Sequence, residues 1–188
     1  MPVPTLLLSG TVGVGKSTVA AKLNDILAEL EVPNAAVDLD ALIAQWPPTS
    51  EWNSDLLFEN LASIWPNYQA HGATHLILAR VLEDRGELER YRTAVPDAAI
   101  TVCRLTAPEP VRLRRLRGRM FPGPSLEWHL ARTVELEHIL GRRSCEDFVV
   151  DNGARPVRDV AVEILVQAGW ISPADVARLG PPREADGE

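Results

Sequence analysis

Leu6-Leu7-Leu8-Ser9-Gly10-Thr11-Val12-Gly13-Val14-Gly15-Lys16-Ser17-Thr18 decides how the rest of this chain is read. An apolar run enters a glycine-rich turn, and the turn enters a helical pattern. Gly10, Gly15, Lys16 and Ser17 satisfy G-x-x-x-x-G-K-[ST], the spacing of a phosphate-binding loop (P-loop). Glycines let successive backbone N–H groups turn inward on one anion. The helix that follows adds unpaired N–H groups and the positive end of its dipole. A lysine here brings a point charge to the outer phosphates, and a serine hydroxyl serves Mg²⁺. Thr11, Val12, Gly13, Val14, Gly15, Lys16, Ser17 and Thr18 are therefore the candidate triphosphate-binding residues.

The flanks agree with that reading. Thr5 to Ser9 reads as a buried strand, and Val19, Leu23, Ile26 and Leu30 recur at helical spacing until Pro33. With 188 residues, the expectation is a single domain over 1–179 and a disordered Pro/Gly/charge-rich tail over 180–188. A net charge of −7 argues against a broad nucleic-acid footprint. No run of 18 apolar residues suggests a membrane span, and the motif begins too near Met1 to leave room for a signal peptide. Cys103 and Cys145 form neither a disulfide framework nor a metal spacing. A reducing, cytoplasmic setting is expected.

Further strands are expected at Ala35–Leu39, His75–Ala79, Ile100–Leu105 and Phe148–Val150. Between them lie helical patterns: a short one through Leu42, Ile43 and Trp46, then residues 53–71, 83–93, 110–119 and 126–140. Val157–Gln167 and a turn at Asp175–Leu179 follow. Pro47-Pro48-Thr49-Ser50 breaks the chain, and Pro66 is expected to kink or break its helix. Strands alternating with helices imply a parallel sheet covered on both faces, an α/β three-layer fold. Ligands in such sheets sit beyond the carboxyl ends of the strands, which directs attention to the residues after each strand.

Asp38 and Asp40 end the second strand. Two carboxylates beside a triphosphate suit phosphoryl transfer, one serving Mg²⁺ and one accepting the proton of an attacking hydroxyl. The alternative is that Asp40 N-caps the following helix. Arg112, Arg115 and Arg119 share a helix face, a lid in which Arg115 and Arg119 lead as cations for the transferred charge. The alternative is a solvated basic face. Arg80, directly after the third strand, either meets phosphate or acceptor or pairs with Glu83 or Asp84. Trp46, with Pro47, Pro48 and Trp52, either walls an acceptor pocket or packs under a loop. Asn152 follows the fifth strand, where it either contacts the base or makes a turn with Gly153. The four histidines lack metal-ligand spacing and read as surface or packing residues.

With these residues in hand, positions 4–168 resemble the P-loop small-molecule kinases. Asp40-Ala41-Leu42-Ile43-Ala44-Gln45-Trp46-Pro47 and Arg115-Leu116-Arg117-Gly118-Arg119 are similar to segments of the chloramphenicol phosphotransferase family. Val150-Asp151-Asn152 and the helix from Val157 resemble that family's closing strand and helix. The loop spacing and Asp38-x-Asp40 also resemble the adenylylsulfate kinases, and shikimate kinases share the Asp-x-Asp. The shikimate kinases' glycine-rich segment after strand three is replaced here by Ala79-Arg80-Val81.

The resemblance implies a five-stranded parallel sheet in order 2-3-1-4-5 flanked by helices, with a helical lid. It implies ATP with Mg²⁺ and a small-molecule hydroxyl acceptor. The expected roles are catalysis by Lys16, Asp40 and Arg115, and nucleotide contacts from the loop, Arg115, Arg119 and Asn152. Acceptor contacts fall to Asp40, Arg80 and Trp46, and metal contacts to Ser17 and Asp38. A nucleotide or nucleoside kinase, or an ATP-binding switch with slow hydrolysis, remain alternatives. The chain lacks the N/T-K-x-D guanine-reading motif and an apolar strand ending in a Walker-B aspartate. Oligomeric state is not legible in the sequence.

Overall fold

A computed structural model describes residues 1–48 and 52–180. Five strands, β1 (Val3–Ser9), β2 (Asn34–Asp38), β3 (His75–Ala79), β4 (Ala98–Thr106) and β5 (Phe148–Asp151), form one sheet in the order β2-β3-β1-β4-β5. All pairings are parallel. β1 is central, with Leu8 opposite Ala79 of β3 and Cys103 of β4. The connecting helices are α1 (Lys16–Glu29), α2 (Ser54–Ala70), α3 (Leu88–Ala94), α4 (Glu109–Arg119), α5 (Pro124–Arg143), α6 (Val157–Gln167) and α7 (Pro173–Arg178).

The three layers follow from the alternation of β1. Leu6 and Leu8 pack toward one core with Leu23, Ile26, Val160 and Ile164, under α1 and α6. Leu7 points the other way, into a second core with Leu57, Leu61, Trp65 and Tyr91, under α2 and α3. Each fully buried leucine contributes about 2 kcal/mol of transfer free energy, so both faces of β1 hold the sheet to its helices. This arrangement puts the ends of β1, β2, β3 and β4 at one edge of the layers.

Several local expectations change. The segment after β2 is a 3-10 turn, Leu39–Ile43, not an α-helical pattern reaching Trp46. Asp38, not Asp40, caps it by accepting from the Asp40 N–H at 3.1 Å. The polar helix expected from Glu83 is delayed. Asp84 accepts from the Gly86 N–H, Arg85–Glu87 make a 3-10 turn, and α3 begins only at Leu88. α2 runs unbroken through Pro66. Both Pro66 and Ala62, whose carbonyl loses its helical donor, lie on the exposed face, so water can satisfy that carbonyl. Thr49, Ser50 and the tail 181–188 lie outside the described residues. Among the described residues, no helix is long and apolar enough to cross a membrane.

Candidate active site

The loop between β1 and α1 is shaped by what surrounds it. Gly10 has φ 136°, and a Cβ there would lie 2.6 Å from the Leu105 carbonyl oxygen of β4. Gly15 caps α1 at φ 102°, with the Asn152 amide nitrogen 2.6 Å from where a Cβ would stand. Both positions therefore require glycine for conformation and for space. α1 begins without a side-chain cap and without an acidic residue in its first turn. Its leading N–H groups are left for an anion.

The Lys16 ammonium donates to the carbonyls of Gly10 at 3.0 Å and Thr11 at 3.1 Å, curled over its own loop. Burial lowers its pKa to about 8, while Asp40 and Asp38 pull it upward. A loop whose lysine is satisfied by its own carbonyls gives up those bonds easily to a stronger anionic acceptor. The Ser17 hydroxyl donates to the Asp38 carboxylate at 2.5 Å. One oxygen of Asp38 thus holds the P-loop serine while the other caps the turn that carries Asp40.

That turn is held from the far side too. The Asn53 and Asn60 amides donate to the carbonyls of Ile43 at 3.2 Å and Leu42 at 2.6 Å. Asp40 emerges exposed and accepts from the Arg80 guanidinium at 3.0 Å. Arg80 is itself buried. The pairing is not the salt bridge read as one alternative in the sequence, since neither Glu83 nor Asp84 is its partner. Glu83 pairs with Arg132 and Asp84 with Arg143.

These groups meet in one cavity of about 670 Å³. Val12, Gly13, Gly15, Lys16, Ser17 and Thr18 form its floor, Asp38 and Asp40 one side, and Arg80 and Arg119 others. Five site expectations, Trp46, Arg115, Asn152, Thr11 and Val14, fall outside it. Trp46 is 89 % exposed and does not line the cavity, because the 3-10 turn ends before it and leaves it in solvent. Arg115 is engaged with backbone, donating to the carbonyls of Val14 at 3.1 Å, Asn152 at 2.9 Å and Gly153 at 3.3 Å. Asn152 is buried and donates to the Val14 carbonyl at 2.8 Å. Arg115 and Asn152 fasten the loop from behind and do not line the space over it. Thr11 and Val14 are also buried, serving through their backbones.

One wall went unnoticed in the sequence. α5 presents Trp128, Arg132 and Leu136 to the cavity, with His129 beside them, and Trp52, Glu83 and Glu87 line it as well. The fourfold spacing of 128, 132 and 136 marks one helix face, and that was the available signal. His129 belongs to this wall and not to a free surface. α5 also grips the loop, since the Thr133 hydroxyl donates to the Val12 carbonyl at 2.7 Å. Arg112 of α4 reaches the Thr11 hydroxyl at 3.3 Å and is held by Glu137 of α5. The α4–α5 hairpin, where the sequence led one to expect a helical lid, is joined to the P-loop by side-chain bonds.

Among the described residues, no group of three or more His, Cys, Asp or Glu is placed to hold a metal ion. Mg²⁺ is commonly held by one or two protein oxygens with phosphate and water. The Ser17 hydroxyl and Asp38 carboxylate are a donor set of that kind.

No family model matches the chain, and no curated protein matches its sequence. Its fold is similar to that of solved structures. A sugar kinase from Janibacter sp. HTCC2649 is 20% identical with a TM-score of 0.60, covering 93% of this chain and 98% of that one. A gluconokinase from Sinorhizobium meliloti 1021 is 19% identical with a TM-score of 0.58, covering 89% and 93%. Shikimate kinase from Acinetobacter baumannii, in complex with shikimate, is 17% identical with a TM-score of 0.54, covering 90% and 96%. The chain therefore has the three-layer P-loop fold found in these small-molecule kinases, with the strand order 2-3-1-4-5.

Proposed function

We propose that this protein transfers the γ-phosphoryl group of ATP to a hydroxyl of a small molecule, with Mg²⁺. The observation that carries the reading is the meeting of two units in one cavity. One is the P-loop with Lys16 and the Ser17–Asp38 pair, and the other is Asp40 held by buried Arg80. A nucleotide switch needs the first unit but has no use for an exposed carboxylate facing the same space. The sugar kinase and gluconokinase among the similar structures agree with an alcohol acceptor.

In this reading, the loop amides and the start of α1 hold the phosphates. Lys16 and Arg119 offset the charge of the transferred group. Ser17 and Asp38 would hold Mg²⁺, which supplies charge neutralisation and orientation of the phosphate oxygens. Asp40 accepts the proton of the acceptor hydroxyl as its oxygen forms the new P–O bond and the bond to ADP breaks. Arg80 fixes the Asp40 carboxylate through a hydrogen bond while leaving its second oxygen free for the acceptor. Arg115 and Asn152 act by positioning the loop. Residues 1–179 would work as one unit, and the buried thiols Cys103 and Cys145 accord with a reducing compartment.

The test is Asp40→Asn. ATP affinity should change by less than about threefold, while transfer of labelled γ-phosphate to an acceptor should fall by about 10²–10⁴. Unchanged transfer would remove Asp40 from the mechanism.

A further inference from the structure

The acceptor half of the cavity carries its own charge pattern. Lys16 and Arg119 lie with the P-loop, and Arg119 is close enough to oppose the charge of Lys16. Away from the loop, the charged groups lining the cavity are Asp40, Glu83 and Glu87 against Arg80 and Arg132. Both guanidiniums are already matched. Arg80 holds Asp40, and Arg132 is bound by Glu83 and, at 2.6 Å, by Glu135. Glu87 is the remaining carboxylate, half-buried, with no hydrogen bond or ion pair to its side chain among the described residues. Arg80 and Arg90 are near enough to stabilise its charge, yet burial outweighs them and pushes its carboxyl above the usual range. A carboxylate left in that condition gains most from a partner that brings its own donor.

The wall beside it is aromatic. Trp52 and Trp128 stand with ring centroids 6.1 Å apart at 42°, too close to clamp a ring between them, so they form one continuous apolar surface. They remain 39 % and 48 % exposed, and both line the cavity. Arg132 covers Trp52 at 4.9 Å, the way a cation sits on an indole. Trp128 has no cation over its ring among the described residues. Its other aromatic neighbour is the His129 ring, edge-on at 4.8 Å. Among the described residues, the site thus holds a carboxylate with no direct hydrogen-bond or ion-pair partner and an exposed indole, and it offers an incoming anion no unmatched cation outside the triphosphate region.

From the unpaired Glu87, the matched Arg80 and Arg132, and the Trp52–Trp128 wall, we infer that the acceptor is a cyclic alcohol bearing an amino group, not a carboxylate-bearing alcohol. The ring lies on the indoles, and the ammonium reaches Glu87. A sugar acid placed in the same half would set its carboxylate against Asp40 and Glu87 with no free cation to receive it. Glu87 is on this account a specificity residue and takes no part in the proton transfer. The inference rests on the phosphotransfer reading for calling the bound molecule an acceptor. Its recognition chemistry can be tested separately.

Two matched sets serve as probes: 2-aminocyclohexanol, cyclohexane-1,2-diol and 2-hydroxycyclohexanecarboxylate, and then 6-amino-6-deoxyglucose, glucose and glucuronate. Binding is read by tryptophan fluorescence with Mg²⁺ and a non-hydrolysable ATP analogue present, and turnover by transfer of labelled γ-phosphate from ATP. The amine in at least one set should bind about tenfold more tightly than its carboxylate counterpart, the scale of one charge-assisted contact. Glu87→Gln should bring the amine to within about threefold of the neutral member, while Glu87→Asp retains the order. Thermal melting of both variants establishes that they are folded. Preference for the carboxylate, binding of no amine, or an amine preference that survives Glu87→Gln overturns the inference. Amine-selective binding without transfer leaves it standing and counts against phosphotransfer. Transfer to 2-hydroxycyclohexanecarboxylate or glucuronate in preference to the amines does the reverse.

Discussion

Replacing Glu137 by Gln should loosen the P-loop from a distance. Glu137 sits on α5 with its side chain 41% exposed, yet it holds two guanidiniums that are almost out of water. Arg112 is 4% exposed and Arg104 11%. After the change, Arg104 keeps Glu146 at 3.6 Å. Arg112 loses its charged partner and, among the described residues, keeps the Thr11 hydroxyl at 3.3 Å, while its Nε has no partner to begin with. Removing one member of a buried pair costs about 3–5 kcal/mol. The exposure of Glu137 means that water already screens the pair and will partly solvate what is left, which brings the expectation to about 2–3 kcal/mol. For a chain of this size that lowers Tm by about 4–12 °C. Calorimetric melting reads the shift. An ATP titration of the folded variant should show weaker binding, because Arg112, no longer held by Glu137, braces Thr11 less firmly at the base of the loop. A melting temperature within about 1 °C of the parent would refute the claim that this carboxylate compensates both arginines.

Other outcomes follow from the same geometry. Gly10→Ala places a Cβ 2.6 Å from the Leu105 carbonyl at φ 136°, and β4 cannot move away without breaking its register with β1. A loss of about 3 kcal/mol and of ATP binding is expected, read by melting and by calorimetric titration. Thr133→Val removes the hydroxyl that donates to Val12 and should cost about 1 kcal/mol with a measurable fall in ATP affinity. Lys16 titrates near pH 8 in the free protein, below its ordinary 10.5. Between those values the unfolded chain binds more protons on this lysine than the folded chain. Its contribution to the stability of the free protein therefore rises with pH across that window. Phosphate restores the charge, so ATP binding above pH 8 takes up a proton, and affinity at pH 9 should be about tenfold lower than at pH 7. Calorimetry in buffers of different ionisation enthalpy detects the uptake, and buffer-independent heats would contradict it.

The residues legible in the sequence were those whose chemistry is local. Gly10 to Thr18 carry a motif whose function is set by neighbours within one turn. β1 to β5 are apolar runs separated by helical periods, and the parallel sheet follows from that alternation. Asp38 and Asp40 were found because they end a strand, though which of them caps the turn depended on side-chain direction, which spacing does not reveal. What spacing does not reveal is long-range. Arg115 shares a helix face with Arg112 and Arg119, but its partners are carbonyls 37 and 101 positions away. They claim its guanidinium for the loop's back side. Trp46 looked like a pocket wall beside Trp52, yet the 3-10 turn places only Trp52 on the cavity. α5 read only as a helical pattern over 126–140, because the bond that gives Thr133 its role crosses 121 residues.

The most direct measurement is a crystal structure with Mg²⁺ and a non-hydrolysable ATP analogue. The expected result has the phosphates within the loop amides of Gly13 to Ser17, and Lys16 turned from the Gly10 and Thr11 carbonyls onto phosphate. Ser17 should lie on the metal, with Asp40 on the open side of the terminal phosphate. A nucleotide bound elsewhere, or Lys16 still curled on its own carbonyls beneath it, would contradict the proposed role of this site.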